Sequence, residues 1–125
     1  MISFIAVFVG GGLGSCLRYL LKIFADKNIR SDFPCATFVA NIAGCLLIGI
    51  VMALFQHKFK AVPEHIRLFL TVGILGGFTT FSTFGFEAVE LMRKGSAEMS
   101  LIYVFASVII GLAAVFIGFS LIKPA

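Results

Sequence analysis

Four long apolar segments constrain the fold of this chain more than any other feature of its sequence. They cover residues 1–17, 33–55, 68–86 and 99–122, and few charged side chains interrupt them. A helix needs about 20 apolar residues to cross a hydrocarbon core of about 30 Å. The first segment reaches that length if residues 18–24 belong to it, with Arg18 and Lys22 extending toward the headgroups. The sequence predicts an all-α membrane protein with one domain and four transmembrane helices, approximately at residues 2–24, 34–55, 67–92 and 99–122.

Composition excludes several classes of protein. Hydrophobic residues make up 60% of the 125 residues, charged residues 13%, and the mean hydropathy is +1.10. A soluble domain of this length cannot bury so much apolar surface, and no nucleophile–base pair stands at a plausible spacing, so no enzyme is expected. The net charge of +4 lies beside the apolar segments, without an aromatic and basic surface. The expected surroundings are therefore a lipid bilayer, and no nucleic-acid partner is expected.

Basic residues are distributed almost evenly between the two membrane sides that four crossings define. Lys58, Lys60, Arg67 and Lys123 fall on the side of the chain ends. The other two connections carry six basic residues, or five if Arg18 lies within the membrane. Such a small difference gives a weak orientation signal. Two alternatives follow: insertion with the first connection in the cytoplasm, or dual topology with copies inserted both ways.

The third apolar segment contains Gly76-Gly77-Phe78-Thr79-Thr80-Phe81-Ser82-Thr83-Phe84, a poor sequence for a continuous helix. Glycine costs about 1 kcal/mol relative to alanine in a helix, and Ser and Thr side chains compete for backbone hydrogen bonds. Inside a bilayer, non-helical backbone must be buried in protein or line a watery cavity. The sequence therefore predicts a broken third helix with a binding or conduction site beside the break.

Several polar and glycine residues inside the apolar segments allow two interpretations. Asn41, with Thr37 one turn earlier, either holds helices together or directs its amide donors at an anion. Tyr103 and Ser107 on helix 4 are packing residues or a polar lining, and Glu87, one turn beyond Thr83, is a candidate extension of the hydroxyl face. Arg18 either extends to the headgroups or attracts anions at a pore mouth. The spacing of Gly10 and Gly14 predicts close helix packing, while Cys16, Cys35 and Cys45 are expected to be buried thiols without disulfides.

The aromatic residues near the break favour an anion as the ligand. Phe81 and Phe84 are three residues apart and so lie on one side of a resumed helix. Phenylalanine ring edges carry partial positive charge, and hydroxyls of Thr80, Ser82 and Thr83 can replace water around a small anion. Unwound carbonyls near Gly76 and Thr79 would instead suit a hard cation such as sodium.

With these motifs assembled, the chain resembles the Fluc-type fluoride channels of the CrcB family over essentially its whole length. The resemblance rests on residues 10–14 with Arg18-Tyr19, on Asn41-Ile42-Ala43-Gly44, and above all on residues 76–84 with Glu87. It implies an antiparallel, dual-topology homodimer with two fluoride pathways and a third helix broken near its middle. It also implies a central structural sodium ion held by backbone carbonyls of Gly76 and Thr79 from both subunits.

The resemblance also implies roles for individual side chains. Phe81 and Phe84 would line the fluoride path with their ring edges, and Asn41 would donate hydrogen bonds to fluoride near the vestibule, where Arg18 also lies. The nearby polar lining would come from Thr37, Thr83, Glu87, Tyr103 and Ser107. Some relatives carry a hydroxyl where this chain has Gly111, so the resemblance does not imply a contribution of that position to the polar lining.

The predicted function is therefore a fluoride-selective channel in a bacterial inner membrane that exports cytoplasmic fluoride passively and reduces its toxicity. The alternative is a small, dual-topology, proton-coupled exporter of the multidrug type, which also uses four short helices. Such an exporter needs an ionisable residue deep in the membrane, and residues 1–17 contain no acid. A noncatalytic assembly subunit would explain the glycine faces but not the clustered hydroxyls.

Overall fold

The computed structural model describes residues 1–125 and contains helices but no strands. Helix 1 spans Ile2–Asn28, helix 2 spans Cys35–His57, the third span covers Glu64–Arg93, and helix 4 spans Ala97–Ser120. All four are long and apolar enough to cross a membrane. The predicted all-α architecture with four candidate membrane spans is confirmed.

The ends of the helices are set by local interactions. Helix 1 continues four residues beyond the predicted bound of 24, supported by a Lys22–Asp26 ion pair of 2.9 Å. In its last turn, the Asn28 side chain donates to the Phe24 carbonyl at 2.8 Å. The turn before helix 4 uses Gly95, whose φ of 83° lies in the left-handed region that favours glycine.

The third span is broken, as the sequence predicts, and consists of two helices. Helix 3a covers residues 64–78 and contains the π-helical segment Phe69–Leu75. Thr79 and Thr80 then adopt extended conformations, with ψ of 158° and 121°. Helix 3b follows at Phe81–Arg93. The break was predicted from the glycines and hydroxyl residues, whereas the π-helical segment before it was not.

Glycines bring the helix backbones together in two pairs of elements. Helix 1 packs against helix 3a, where a Cβ added at Gly10 or Gly14 would overlap the carbonyl of Phe69 or Ile74. Helix 2 packs along helix 4, where Gly49 and Gly118 allow the same close approach. The close packing predicted for Gly10 and Gly14 is confirmed, and it places helix 1 directly beside the break.

Most large apolar side chains of the single chain point outward. Only 19 of the 125 residues are buried, so the chain has little core of its own. Phe4, Phe8 and Phe116 are among the exposed aromatic residues. The one apolar cluster consists of Phe84, Ala88 and Leu91 on helix 3b with Tyr103 on helix 4. An apolar exterior of this kind is compatible with lipid or with another copy of the chain.

Candidate functional site

A cavity of about 380 Å³ lies beside the break in the third span. We call it the break cavity. Helix 2 contributes Asn41, the break contributes Thr79 and Thr80, and helix 4 contributes Ser107. Phe81 and Phe84 complete this set from the first turn of helix 3b. The break thus brings polar groups from three elements to one space, as expected of non-helical backbone at membrane depth.

Asn41 is paired with the backbone of Thr80 in both directions. Its Nδ2 donates to the Thr80 carbonyl at 3.0 Å, and its Oδ1 accepts from the Thr80 amide at 2.8 Å. The pair gives a partner to the Thr80 amide, one of the backbone groups that the break releases from helical bonding. One of the two amide hydrogens of Nδ2 is used in this pair, and the other remains a donor beside the break cavity. Asn41 therefore holds helix 2 to the break and also keeps a donor for a ligand.

The Thr80 hydroxyl begins helix 3b. It accepts from the backbone amide of Thr83 at 3.2 Å and lies 3.1 Å from the Thr83 hydroxyl. Thr80 is thus an N-cap residue, which supplies the acceptor that the first turn of a helix lacks. Ser82 is exposed, with its hydroxyl 3.4 Å from that of Thr80. Three hydroxyls are therefore connected at the start of helix 3b.

The carbonyls around the break fall into two groups. The Gly77 carbonyl accepts from Nε of Arg18 at 3.1 Å, with the Ser15 hydroxyl at 3.5 Å. By contrast, no side chain donates to the carbonyls of Gly76 or Thr79, and both residues line the break cavity. Arg18 is therefore attached to the end of helix 3a through one nitrogen. The Gly76 and Thr79 oxygens carry no such partner.

The two phenylalanines expected to line a path share the break cavity but differ in exposure. Their ring centroids are 5.7 Å apart at an interplanar angle of 46°. Phe84 is 9% exposed and meets Tyr103 edge to face at 5.1 Å, whereas Phe81 is 84% exposed. Phe84 is thus fixed by its neighbours, while one chain alone leaves Phe81 without packing partners on most of its surface.

One turn beyond Phe84, Glu87 lies between two hydroxyl donors from neighbouring helices. Thr37 of helix 2 donates to Oε1 and Tyr103 of helix 4 donates to Oε2, each at 2.8 Å. Thr37 and Tyr103 are 7% and 0% exposed, so both donors are buried. Hydrogen bonds to an ionised carboxylate are about twice as strong as neutral ones, which favours keeping a half-buried acid in place. The structure thus brings Thr37, Glu87 and Tyr103 into direct contact.

Ser107 and Gly111 occupy different surroundings on helix 4. The Ser107 hydroxyl is buried without a hydrogen-bond partner and its residue lines the break cavity. Gly111, one turn later, faces helix 2, where an added Cβ would lie 3.4 Å from the Cys45 sulfur. An unpartnered hydroxyl beside a cavity is a candidate ligand group, whereas Gly111 is a packing position.

Some residues around the cavity were not predicted as site residues. Thr71 and Gly44 both line the break cavity. A Cβ at Gly44 would overlap the Thr79 side chain, so this glycine makes room for the break. A signal was available for Thr71, because a spacing of eight residues from Thr79 still falls within the width of one face of an amphipathic helix. No cluster of three or more His, Cys, Asp or Glu side chains is placed to hold a metal ion.

Together these groups form a polar series from the break cavity to the middle of helix 3b. It begins with the Asn41–Thr80 pair, continues through the hydroxyls of Thr80 and Thr83, and ends at the Glu87 carboxylate. The rings of Phe84 and Tyr103 stand between its two ends. Apart from Glu87, the series consists of uncharged dipoles. Such a series offers hydrogen bonds to a small ion without a fixed positive charge that would retain it.

Comparison with known proteins assigns the chain to a family. The model of the family described as CrcB-like protein, Camphor Resistance (CrcB), matches residues 5–119. A protein of Methylobacterium sp. (strain 4-46) named fluoride-specific ion channel FluC is 42% identical over 123 residues, which are 98% of each chain. A protein of the same name from Flavobacterium psychrophilum is 42% identical over 94% of each chain. A third, from Agrobacterium fabrum, is 41% identical over 97% of this chain and 96% of its own length.

Proposed function

The chain belongs to the CrcB-like family, and we propose that it is a multi-pass bacterial membrane protein that conducts fluoride passively out of the cytoplasm. Three of its relatives, each covering nearly the full length, carry the name of a fluoride-specific ion channel. In this role the protein is a channel rather than an enzyme. Its action would lower the toxicity of fluoride for the cell.

The observation that carries the proposal is the series of uncharged donors and ring edges beside a broken membrane helix. A fluoride ion is strongly hydrated, so a path must supply hydrogen bonds that replace part of its water shell. The free Asn41 amide hydrogen and the unpartnered Ser107 hydroxyl both belong to residues that line the break cavity. The Thr83 hydroxyl and the ring edges of Phe81 and Phe84 would continue the lining toward Glu87.

The proposed pathway selects by size and by the strength of the donors. Chloride is larger and more weakly hydrated than fluoride, so it gains less from short hydrogen bonds and fits a narrow path less well. Thr37 and Tyr103 hold both Glu87 oxygens, which keeps this carboxylate at the side of the path. At the other end, the Arg18 guanidinium next to the Gly77 carbonyl would make the vestibule attractive to anions.

We propose that the working unit is an antiparallel homodimer with dual topology. The nearly even division of basic residues between the two membrane sides favours insertion in both orientations. The single chain leaves Phe81 84% exposed at the mouth of the break cavity. A second copy would enclose this ring and turn the open cavity into a walled path. The remaining apolar surface would face the lipid bilayer.

A sodium ion fits the backbone at the break as a structural cofactor. Gly76 and Thr79 line the break cavity, and their carbonyls receive no side-chain donors and are oxygen ligands of the type that hard cations prefer. One chain supplies only these two oxygens, and an antiparallel copy would supply the same two. When bound, such an ion would contribute a fixed positive charge at the centre of the dimer and hold the two breaks together.

The experiment that tests the function is an electrode recording of halide leak from vesicles containing the purified protein. Fluoride release without a proton gradient, together with much slower chloride release, is the expected result. Release of fluoride that requires an opposing proton gradient would favour the alternative of a proton-coupled exporter. The absence of halide release from vesicles that contain folded protein would contradict the proposal.

A further inference from the structure

One end of the helix bundle carries positive side chains that are not paired with acids. Helix 2 leads into helix 3a there, and helix 4 ends beside it, with His57 of helix 2 meeting the Phe119 ring of helix 4 edge to face at 5.6 Å. We call this end of the bundle the basic end. Its charged side chains are those of Lys58, Lys60, Glu64, Arg67 and Lys123. None of the four basic groups forms an ion pair.

The opposite end of the bundle, where helix 1 leads into helix 2 and helix 3b into helix 4, balances its charges. It has six basic residues, Arg18 included, and five acids. All three ion pairs of the chain lie there, and they join Lys22 to Asp26 and Glu90 to Arg93 and Lys94. Six basic residues against five acids leave this end a net charge of +1, whereas four against one leave the basic end +3. The basic end is therefore the end that attracts anions from a distance.

Arg67 is held in place at the basic end without a partner for its charge. Its Cζ atom lies 5.3 Å from the centroid of the Phe55 ring, and Phe55 is buried. The Arg67 Nε is buried and has no hydrogen-bond partner. Its two terminal amino groups reach the surface and donate to no group of the chain. A charged donor without a partner is costly, so this arrangement favours a ligand with several oxygen acceptors.

The basic end lies where two membrane spans reach the headgroup region of the bilayer. Helix 2 ends there and the third span begins there, joined by a connection of six residues. In that connection Phe59 stands between Lys58 and Lys60, and all three side chains are exposed. Exposed rings beside lysines are typical of segments that lie in the membrane interface. A guanidinium binds phosphate through two parallel hydrogen bonds, which makes lipid phosphate a matching ligand for Arg67.

We propose that the basic end binds the headgroup of an anionic phospholipid. The Arg67 guanidinium holds the phosphate, while Lys58, Lys60 and Lys123 attract the net negative charge of the lipid. A zwitterionic phospholipid carries the same phosphate without net charge and so gains less from the three lysines. The inference goes beyond fluoride conduction and does not depend on it, because no group in the break cavity takes part.

The test measures lipid bound to the purified protein by native mass spectrometry, with phosphatidylglycerol or phosphatidylcholine added to the detergent. Phosphatidylglycerol should bind about tenfold more tightly than phosphatidylcholine. Arg67→Gln should lower the affinity for phosphatidylglycerol about tenfold, the scale of a charge-assisted hydrogen bond. Arg93→Gln is the matched control, since Arg93 is exposed at the opposite end beside Glu90. Equal affinity for the two lipids, or equal loss in the two variants, would overturn the inference.

A second variant avoids the contact between Arg67 and the buried Phe55 ring. Lys58→Gln combined with Lys60→Gln changes two exposed side chains, so the fold should be unaffected, and affinity for phosphatidylglycerol should fall about fivefold. Unchanged affinity in this double variant would also contradict the inference.

Two further readouts separate the lipid from other anions. Soluble glycerol phosphate offers the same phosphate without acyl chains and should not displace phosphatidylglycerol at equal concentration. Displacement would mean that the basic end binds a free phosphate, and the lipid assignment would be wrong. Loss of the dimer rather than of lipid in Arg67→Gln would assign Arg67 to a contact between copies, which would overturn the inference as well. Halide leak from vesicles is measured separately, so none of these results decides whether the chain conducts fluoride.

Discussion

The two halves of the third span meet at Thr79 and Thr80 but are held in the bundle by different interactions. Helix 3a lies against helix 1, where Gly73 and Gly77 bring backbone directly onto backbone. Helix 3b lies mainly against helix 4, and polar side chains connect it to helices 2 and 4 through Glu87. Close backbone packing thus dominates in the first half, whereas the second half combines apolar packing with hydrogen bonds to the Glu87 carboxylate.

This difference explains why the break occurs where the two modes of packing meet. A helix pressed backbone to backbone against its neighbour has no room for side chains that could form a polar path. A helix held at a distance by side chains can present hydroxyls, rings and a carboxylate to a cavity. The extended residues between them release backbone groups, of which Asn41 binds the Thr80 amide and Arg18 binds the Gly77 carbonyl. Helix 3a, which we call the anchored half, thus fixes the position of the break. Helix 3b, which we call the polar half, supplies side chains that line the cavity.

The largest expected effect comes from adding a methyl group to the anchored half. In Gly77→Ala, the new Cβ would lie 2.5 Å from the Gly11 carbonyl oxygen, a backbone atom that cannot move aside alone. We expect the free energy of unfolding to fall by about 3 kcal/mol, the upper part of the usual range for overpacking. Thermal unfolding of the purified protein in detergent measures the change.

Gly85→Ala is the matched control in helix 3b, because nothing lies within 4 Å of a Cβ at that position. The free energy of unfolding should be unchanged or rise by up to about 1 kcal/mol, since alanine favours a helix more than glycine does. If both variants were equally stable, the distinction between the two halves would be wrong.

Asn41→Asp should have the next largest effect, because Asn41 attaches the start of the polar half to helix 2. The carboxylate cannot donate to the Thr80 carbonyl, and it adds a negative charge beside the break cavity. We expect fluoride flux to fall about 100-fold, which corresponds to about 2.8 kcal/mol. Asn41→Ala, which removes both hydrogen bonds to Thr80 without adding charge, should lose about tenfold. Normal flux from the Asp variant would show that Asn41 serves only as a connection between helices.

The sequence predicts those features of this arrangement that depend on residues close together in the chain. The break follows from Gly76, Gly77 and the hydroxyl residues after them, because their preferences act within a few residues. The spacing of Gly10 and Gly14 likewise predicts close packing. Neither the π-helical segment nor the C-terminal end of helix 1 follows from such rules, since helix ends depend on individual capping contacts.

Sequence patterns could not predict which side chains form hydrogen bonds with each other across helices. Periodicity places Thr37 and Asn41 on one face of helix 2, but it does not say which residue of helix 3b each one meets. The structure pairs Asn41 with Thr80 and Thr37 with Glu87. It also pairs Arg18 with the Gly77 carbonyl. Each pairing depends on the relative translation of two helices, which is fixed by packing across the bundle.

Substitutions of the two phenylalanines in the first turn of helix 3b should have effects of intermediate size. Phe81→Ile and Phe84→Ile each replace a ring edge with an aliphatic group at the break cavity, and each should slow fluoride flux about tenfold, or about 1.4 kcal/mol. Only Phe84→Ile should also reduce thermal stability, because Phe84 packs edge to face against Tyr103 while Phe81 is exposed. Unchanged flux from either variant would argue against ring edges as part of the path.

Substitutions of two serines on helix 4 should have the smallest effects. They distinguish a residue that lines the fluoride path from one that supports the fold. Ser100 is buried and donates to the Ala88 carbonyl of helix 3b at 2.7 Å, whereas the buried Ser107 hydroxyl has no partner. Ser100→Ala should therefore lower the free energy of unfolding by about 1 kcal/mol and leave fluoride flux unchanged. Ser107→Ala removes no hydrogen bond within the chain, so stability should hold or improve slightly while flux falls about twofold, or about 0.4 kcal/mol. A loss of stability without a loss of flux in Ser107→Ala would mean that this hydroxyl supports the fold, and the polar lining would then end at helix 3b.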